Sequence, residues 1–281
     1  MSVRIVTDST ADLAPQWLQQ YKIGVVPLSV VFGDEVYKEG VEMTPDVFYE
    51  RLPSAKPLPT TSAPSVGDFL DVYKEALKET DEIISIHLSS KLSATHSAAS
   101  QAAAQLADEG ARIDVIDSES VSLGIGFMAQ AAGKAAAAGA TFDEIKKLVK
   151  SMVPRMHVYV VLDTLEYVRR GGRIGRARAF LGNMLRVKPI LSFRHGEVHP
   201  EERVRTRSLA LDRLFQIATS YPNIEQIGVA YSTNAVEADE FKRRLEAELP
   251  ELKAQVTRLG PVVGVHGGPG VLGVGVLEGE S

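Results

Sequence analysis

The residues best placed to do chemistry are small hydroxyls and carboxylates that recur just after strand-like runs. Asp8-Ser9-Thr10 follows Arg4-Ile5-Val6-Thr7, and Ser89-Ser90 with Ser93-Ala94-Thr95 follow the apolar run Glu82 to His87. Asp117-Ser118 and Ser120 follow Ile113 to Ile116. Hydroxyls beside free backbone amides can hold an anion, and helix N-termini supply such amides. The same residue types are also the common helix caps, and each cluster precedes a helical segment. Capping explains any one cluster alone. Together the clusters suggest a binding edge, because ligands of open parallel sheets sit beyond the carboxyl ends of the strands. Several enzyme signatures are missing: GxxxxGK[ST], GxSxG and HExxH do not occur. Gly124-Ile125-Gly126 with Ala129 matches GxGxxA only in form, since it falls inside a helical segment where close packing accounts for it. His195 and His199 flank a hairpin rather than sharing a helix face, so no metal site is expected, and no cofactor.

The elements that would position these residues alternate. Strands are expected at Arg4–Thr7, Val25–Phe32, Glu82–His87 and Ile113–Ile116. Helices are expected at Leu13–Tyr21, Asp46–Arg51 behind Thr44-Pro45, Ser65–Lys78, Thr95–Leu106, Val121–Ala138 and Phe142–Met152. A loop is expected over Pro53–Pro64. Such alternation predicts a mostly parallel sheet with helices on both faces. Pro154 is the best boundary, dividing the chain into an N-terminal α/β domain (1–154) and a C-terminal α+β domain (155–281). Beyond it the pattern predicts a strand at Val158–Leu162, an Arg/Gly-rich loop and a helix over Ala177–Met184. A hairpin (Pro189–Phe193 with Val198–Val204) follows around His195-Gly196. A helix at Leu209–Thr219, a strand at Ile227–Tyr231, a helix at Ala235–Leu249 and glycine-punctuated strands complete the chain. Gly260 to Leu277, with seven glycines, two prolines and a central His266, reads as turns joining short strands rather than a membrane helix.

Bulk properties agree with a globular protein. The 281 residues are 44% hydrophobic and 24% charged, with a formal net charge of −5. That charge argues against nucleic acid or an anionic membrane as the main partner. The absence of cysteine excludes disulfides, thiol catalysis and Cys-bound metals. No signal-peptide pattern opens the chain, so a cytoplasmic location is expected.

Five motifs, in order along the chain, resemble the DegV family of fatty-acid-binding proteins, the acyl-binding subunits of a bacterial fatty acid kinase. They are Val6-Thr7-Asp8-Ser9-Thr10-Ala11-Asp12-Leu13, Thr60-Thr61-Ser62-Ala63-Pro64-Ser65 and Ser93-Ala94-Thr95-His96-Ser97-Ala98. The remaining two are Leu165 to Ile174, with its Gly171-Gly172-Arg173-Ile174, and His266-Gly267-Gly268-Pro269-Gly270 followed by Gly273. Ala94 stands where the family usually has glycine, and Val168 where it usually has leucine.

The resemblance implies a two-domain fold enclosing a long-chain fatty acid, with the carboxylate near the domain junction. Thr61, Ser93 and His266 match the positions that hold the carboxylate, with Ser62 and Thr95 as further candidates and Thr60 an alternative for the hydroxyl that reaches. His266 read alone is a structural histidine in a glycine turn; within this motif it is a ligand-holding group. Hydroxyls and an imidazole can donate to a carboxylate without a fixed Arg or Lys salt bridge. A tail of roughly 15 methylenes would contribute about 12 kcal/mol gross, before ordering and association costs.

Arg169, Arg170, Arg173, Arg176 and Arg178 fit a solvated loop or, less well, a nucleic-acid contact with only Phe180 to stack on. The resemblance adds a third role, docking the separate ATP-dependent kinase subunit, with Arg173 and Arg170 as candidates. The function the resemblance implies is therefore presentation of a fatty acid for acyl-phosphate formation, in phospholipid synthesis or a narrower pathway. The alternatives are a self-sufficient phosphotransferase or hydrolase using Asp8, Ser93 and His266, and a lipid-dependent regulatory protein.

Overall fold

The structure, a computed structural model, describes residues 3–183 and 187–280. Its first half builds a four-stranded, all-parallel sheet in the order β2-β1-β6-β7, from β1 (Arg4–Asp8), β2 (Gly24–Val26), β6 (Glu82–His87) and β7 (Arg112–Asp117). Alternate side chains of these strands face two different helical layers. Val6, Val26 and Ile83 pack under α3 (Val66–Ala76) and α4 (Thr95–Ala107). Ile5, Ile84, Ile86 and Ile116 pack against α5 (Leu123–Ala137) and α6 (Phe142–Met152). The expected α/β architecture, with helices on both faces, is therefore present.

Val25 to Phe32 is not one strand. Pro27, which has no amide to donate, breaks it into β2 and β3 (Ser29–Phe32). β3 leaves the parallel sheet and pairs antiparallel with β4 (Glu35–Lys38) and β5 (Thr60–Ser62) in a small third sheet. β5 lies inside the segment expected to be a loop, being too short to show a period. The first helix, α1, is Pro15–Gln20, starting later than Leu13 because the proline takes the first helical position. α2 (Pro45–Arg51) opens as expected, with the Thr44 hydroxyl accepting from the amide of Val47.

The second half supplies a six-stranded mixed sheet in the order β10-β9-β8-β13-β11-β12. Its strands are β8 (Met156–Val161), β9 (Lys188–Arg194), β10 (Glu197–Val204), β11 (Ile224–Tyr231), β12 (Gln255–Arg258) and β13 (Leu272–Glu278). One face carries α8 (Arg207–Thr219) and α9 (Ala235–Glu248), closing a core around Leu214, Phe241 and Val274. The other face meets α5, where Gly228 and Gly275 leave room for Leu123 and Phe127. α5 thus lies between the two large sheets, and the main apolar core runs continuously from Val3 to Leu277 across the turn containing Pro154.

Two expectations are corrected here. Gly260 to Leu277 is not a set of turns joining strands: it forms the helix α10 (Pro261–Gly267) before entering β13. Proline at its first position and a glycine end let a short helix form where glycine content suggested none. The Arg/Gly-rich loop likewise opens with the short helix α7 (Glu166–Arg170), and the helix expected from Ala177 is a 3-10 helix over Gly175–Asn183. The expected end of that helix, Met184, lies outside the described residues.

Candidate functional site

A cavity of about 350 Å³ lies between the C-terminal ends of β1 and β6 and the inner face of the six-stranded sheet. Leu28, Leu88, Leu92, Val160, Leu191 and Phe193 are among its apolar walls. Polar side chains gather at it from several elements: Thr10 after β1, Thr61 and Ser62 from β5, Ser93 ahead of α4, Ser122 ahead of α5, His266 from the last turn of α10, and Arg173 after α7. Its volume is within the ~300–1,000 Å³ usual for small-molecule sites, and an apolar body with a few convergent polar groups is their common composition.

The structure joins the distant Thr61 and His266 directly. The Thr61 hydroxyl and His266 Nε2 are hydrogen-bonded at 3.0 Å. Thr60, the alternative, does not line the cavity, whereas Ser62 does. Ser93 serves both readings at once: its Oγ lies 2.8 Å from Thr95 Oγ1 and accepts from the amide of Thr95, while Ser93 also lines the cavity. Thr95 itself is fully buried behind Ser93 and does not reach the cavity. Asp8, placed in the enzyme alternative, is also absent from it: its carboxylate accepts from Thr10, from His87 Nδ1 at 3.0 Å and from the amide of Leu88 at 2.9 Å.

His266 is held beside glycines where any added Cβ would force a shift. A Cβ on Gly171 would stand 2.2 Å from His266 Nδ1, and one on Gly268 would stand 2.3 Å from Tyr167. Gly268 also has φ +77, a conformation costly for any other residue. The two glycine motifs of the sequence therefore interlock, fixing α7 against α10. Burial pushes the imidazole down to about 4, with the charge of Arg173 as the smaller cause. At neutral pH it is uncharged, with one N–H to donate.

Two groups were not legible from the sequence, one in the cavity wall and one behind it. Arg173 was read only as a docking residue, yet it lines the cavity, its Nε donating to Leu92 O at 3.1 Å and Nη1 to Gly171 O at 2.8 Å. A guanidinium held by backbone carbonyls therefore belongs to the cavity lining, beside the hydroxyls and the imidazole. Arg170 does not join it, being exposed and paired with Glu166 at 2.7 Å. The second group is the acidic pair Asp12 and Glu39, which accept from the amides of Gly260 (2.8 Å) and Val262 (2.7 Å) at the start of α10. Burial raises Glu39 to about 7, and burial with the neighbouring Glu39 raises Asp12 well above the carboxylate range. Only the placement of Asp12 in the opening motif hinted at a role.

Among the described residues no cluster of three or more His, Cys, Asp or Glu could hold a metal, and no helix is long and apolar enough to cross a membrane. His195 and His199 belong to the β9–β10 hairpin, whose two-residue turn His195-Gly196 has positive φ at both positions.

Comparison with known proteins agrees with this architecture. The family model described as "Uncharacterised protein, DegV family" matches residues 2–279. Protein DegV of Bacillus subtilis is 37% identical over 280 residues, covering 98% of both chains. Among solved structures, a fatty-acid-binding DegV family protein from Thermus thermophilus superposes with a TM-score of 0.90 at 33% identity, covering 99% of this chain and 100% of its own. DegV from B. subtilis, described as a fatty acid binding protein, gives 0.90 at 34% identity with the same coverage. The chain belongs to the DegV family.

Proposed function

We propose that this protein encloses a long-chain fatty acid in the 350 Å³ cavity and holds its carboxylate at Thr61, Ser93 and His266, with Ser62 and Arg173 beside them. The observation that carries the reading is one cavity with apolar walls along its body and hydroxyl, imidazole and guanidinium groups gathered at it. Solved relatives described as fatty acid binding support it. Thr95 acts through Ser93, by fixing its hydroxyl. The test is native mass spectrometry of the purified protein, followed by extraction of whatever is bound. A stoichiometric fatty acid is expected; a protein that stays empty when offered palmitate or oleate overturns the reading.

The same geometry suits presentation to a separate ATP-dependent kinase. Ser93, Ala94 and Arg173 also line an exposed groove with Lys91 and Arg176, so the head group lies next to solvent on a basic surface. Arg173 and Arg170 are the docking candidates. Arg173→Ala should lower acyl-phosphate formation by the kinase while lipid stays bound; unchanged turnover would remove Arg173 from that role. The self-sufficient enzyme has less support, because Asp8 is committed to Thr10, His87 and Leu88. Turnover of ATP with fatty acid and no second protein would restore it.

A further inference from the structure

A second opening lies at the end of β8 away from α7, between the first half of the chain and the six-stranded sheet, where two strands part. β8 and β9 are paired from Val161 to Val158, and the last pair is Val158 with Phe193. Beyond it β8 goes on pairing with β13 as far as Met156, and β9 with β10 as far as Arg194, but not with each other. A groove of about 890 Å³ occupies the fork. Its lining differs from that of the cavity, with His96, Asp117, Lys150, His157, Arg194 and Tyr221 among its polar groups. Among the described residues, only Val158 and Phe193 line both spaces. Directly opposed residues of an antiparallel pair point to the same face with Cβ atoms about 5 Å apart. The two side chains therefore form a partition one residue thick between an apolar cavity and a polar groove.

We propose that the Val158–Phe193 pair is the length stop of the acyl chamber, setting the longest fatty acid that can be enclosed. This rests on the fatty-acid reading of the cavity. Val160 and Leu162 line the cavity on the same face of β8 and its continuation, and Leu162 leads toward α7, which packs on His266-bearing α10. Val158 is thus the cavity-lining residue of β8 farthest from α7, and Met156, next on that face, already lies in the groove. A chain anchored at Thr61, Ser93 and His266 runs toward it. A chain that fits ends against two apolar side chains; a longer one must either displace Phe193 or push its methyl end into an open groove where Val115, Ile116 and Met156 are interspersed with His96, His157, Arg194 and Asp117. That loses the apolar burial which gives each methylene its value.

The experiment loads wild type, Phe193→Ala, Val158→Ala and Leu28→Ala with an equimolar mixture of palmitate, stearate, arachidate and behenate. Native mass spectrometry then reads the bound fractions, with unfolding temperature recorded for each variant. Trimming the partition should shift occupancy toward the longer acids, by up to roughly fourfold in relative affinity for each methylene newly enclosed. Val158→Ala, the smaller change, should do so less, and serves alone if Phe193→Ala does not fold. Leu28→Ala enlarges the cavity away from the partition and should leave the length limit where it is. Unshifted occupancy in the partition variants, or an equal shift in Leu28→Ala, overturns the proposal while leaving fatty-acid binding intact. A wild type that takes up none of the four acids refutes the fatty-acid reading itself.

Discussion

Two buried histidine networks, built from the same residue types, differ in how much of their hydrogen-bonding capacity is spent. In the first, His87 is fully buried, with Nδ1 3.0 Å from Asp8 Oδ2 and Nε2 2.6 Å from Ser85 Oγ, which in turn accepts from Tyr73 at 2.8 Å. The ring also packs edge-on against Phe69. Asp8 takes further bonds from Thr10 and Leu88, two residues that line the cavity, so this network supports the wall without facing it. In the second, His266 bonds only Thr61, its Nδ1 has no partner among the described residues, and both side chains line the cavity. A satisfied buried network specifies structure, whereas one with donors to spare beside an apolar space is suited to a ligand.

That contrast sets unequal costs for disruption. Asp8→Ala should be the most damaging change, about 3–5 kcal/mol of stability measured by urea unfolding, because it strands His87 and two backbone amides in a dry interior. A cost near zero would break the distinction. His266→Ala should leave stability within about 1 kcal/mol of wild type but lower fatty-acid affinity roughly tenfold to a hundredfold by calorimetry, the range for a hydrogen bond to a charged group. Ser93→Ala falls between the two kinds. It should lose about 1 kcal/mol of stability with the Thr95 contact, and several-fold in affinity.

The smallest effect concerns pH. His266 is depressed from 6.5 to about 4, so the folded state takes up its proton later than the unfolded state. Its contribution is fully present above about 6.5 and is lost as pH falls toward 4. Glu39 is raised from 4.5 to about 7, so its contribution is present below about 4.5 and is lost as pH rises through 7, and Asp12 shifts in the same direction. These slopes oppose each other across the same range. Glu39→Gln should therefore tilt the stability profile toward higher pH and His266→Ala toward lower pH, as read by urea unfolding across pH 4 to 7. Parallel shifts in the two variants would show that neither group titrates as placed.

Local chemistry made most elements of the parallel sheet legible. β6 and α6 fall where the apolar runs and the capping Thr141 place them, since burial period and caps are written within a few residues. The hydroxyl clusters at strand ends were also visible, although Ser93 turned out to cap and to line the cavity at once. β5 and α10 were not visible, being three and seven residues long and held by distant partners, β5 by β3 and α10 by Glu39 across 223 positions. The place of Arg173 in the cavity wall and the Asp12–Glu39 pair behind α10 likewise depend on segments far apart in sequence.

The sequence by itself determined which segments are helix or strand over most of the chain, where the caps stand, and, through its ordered motifs, the family. Tertiary structure alone decided which of two similar histidines faces a cavity, that Thr61 meets His266 across 205 positions, and where that cavity ends. Periodicity and capping are properties of neighbouring residues. An unspent hydrogen bond beside an apolar space exists only after distant segments have packed and left it there.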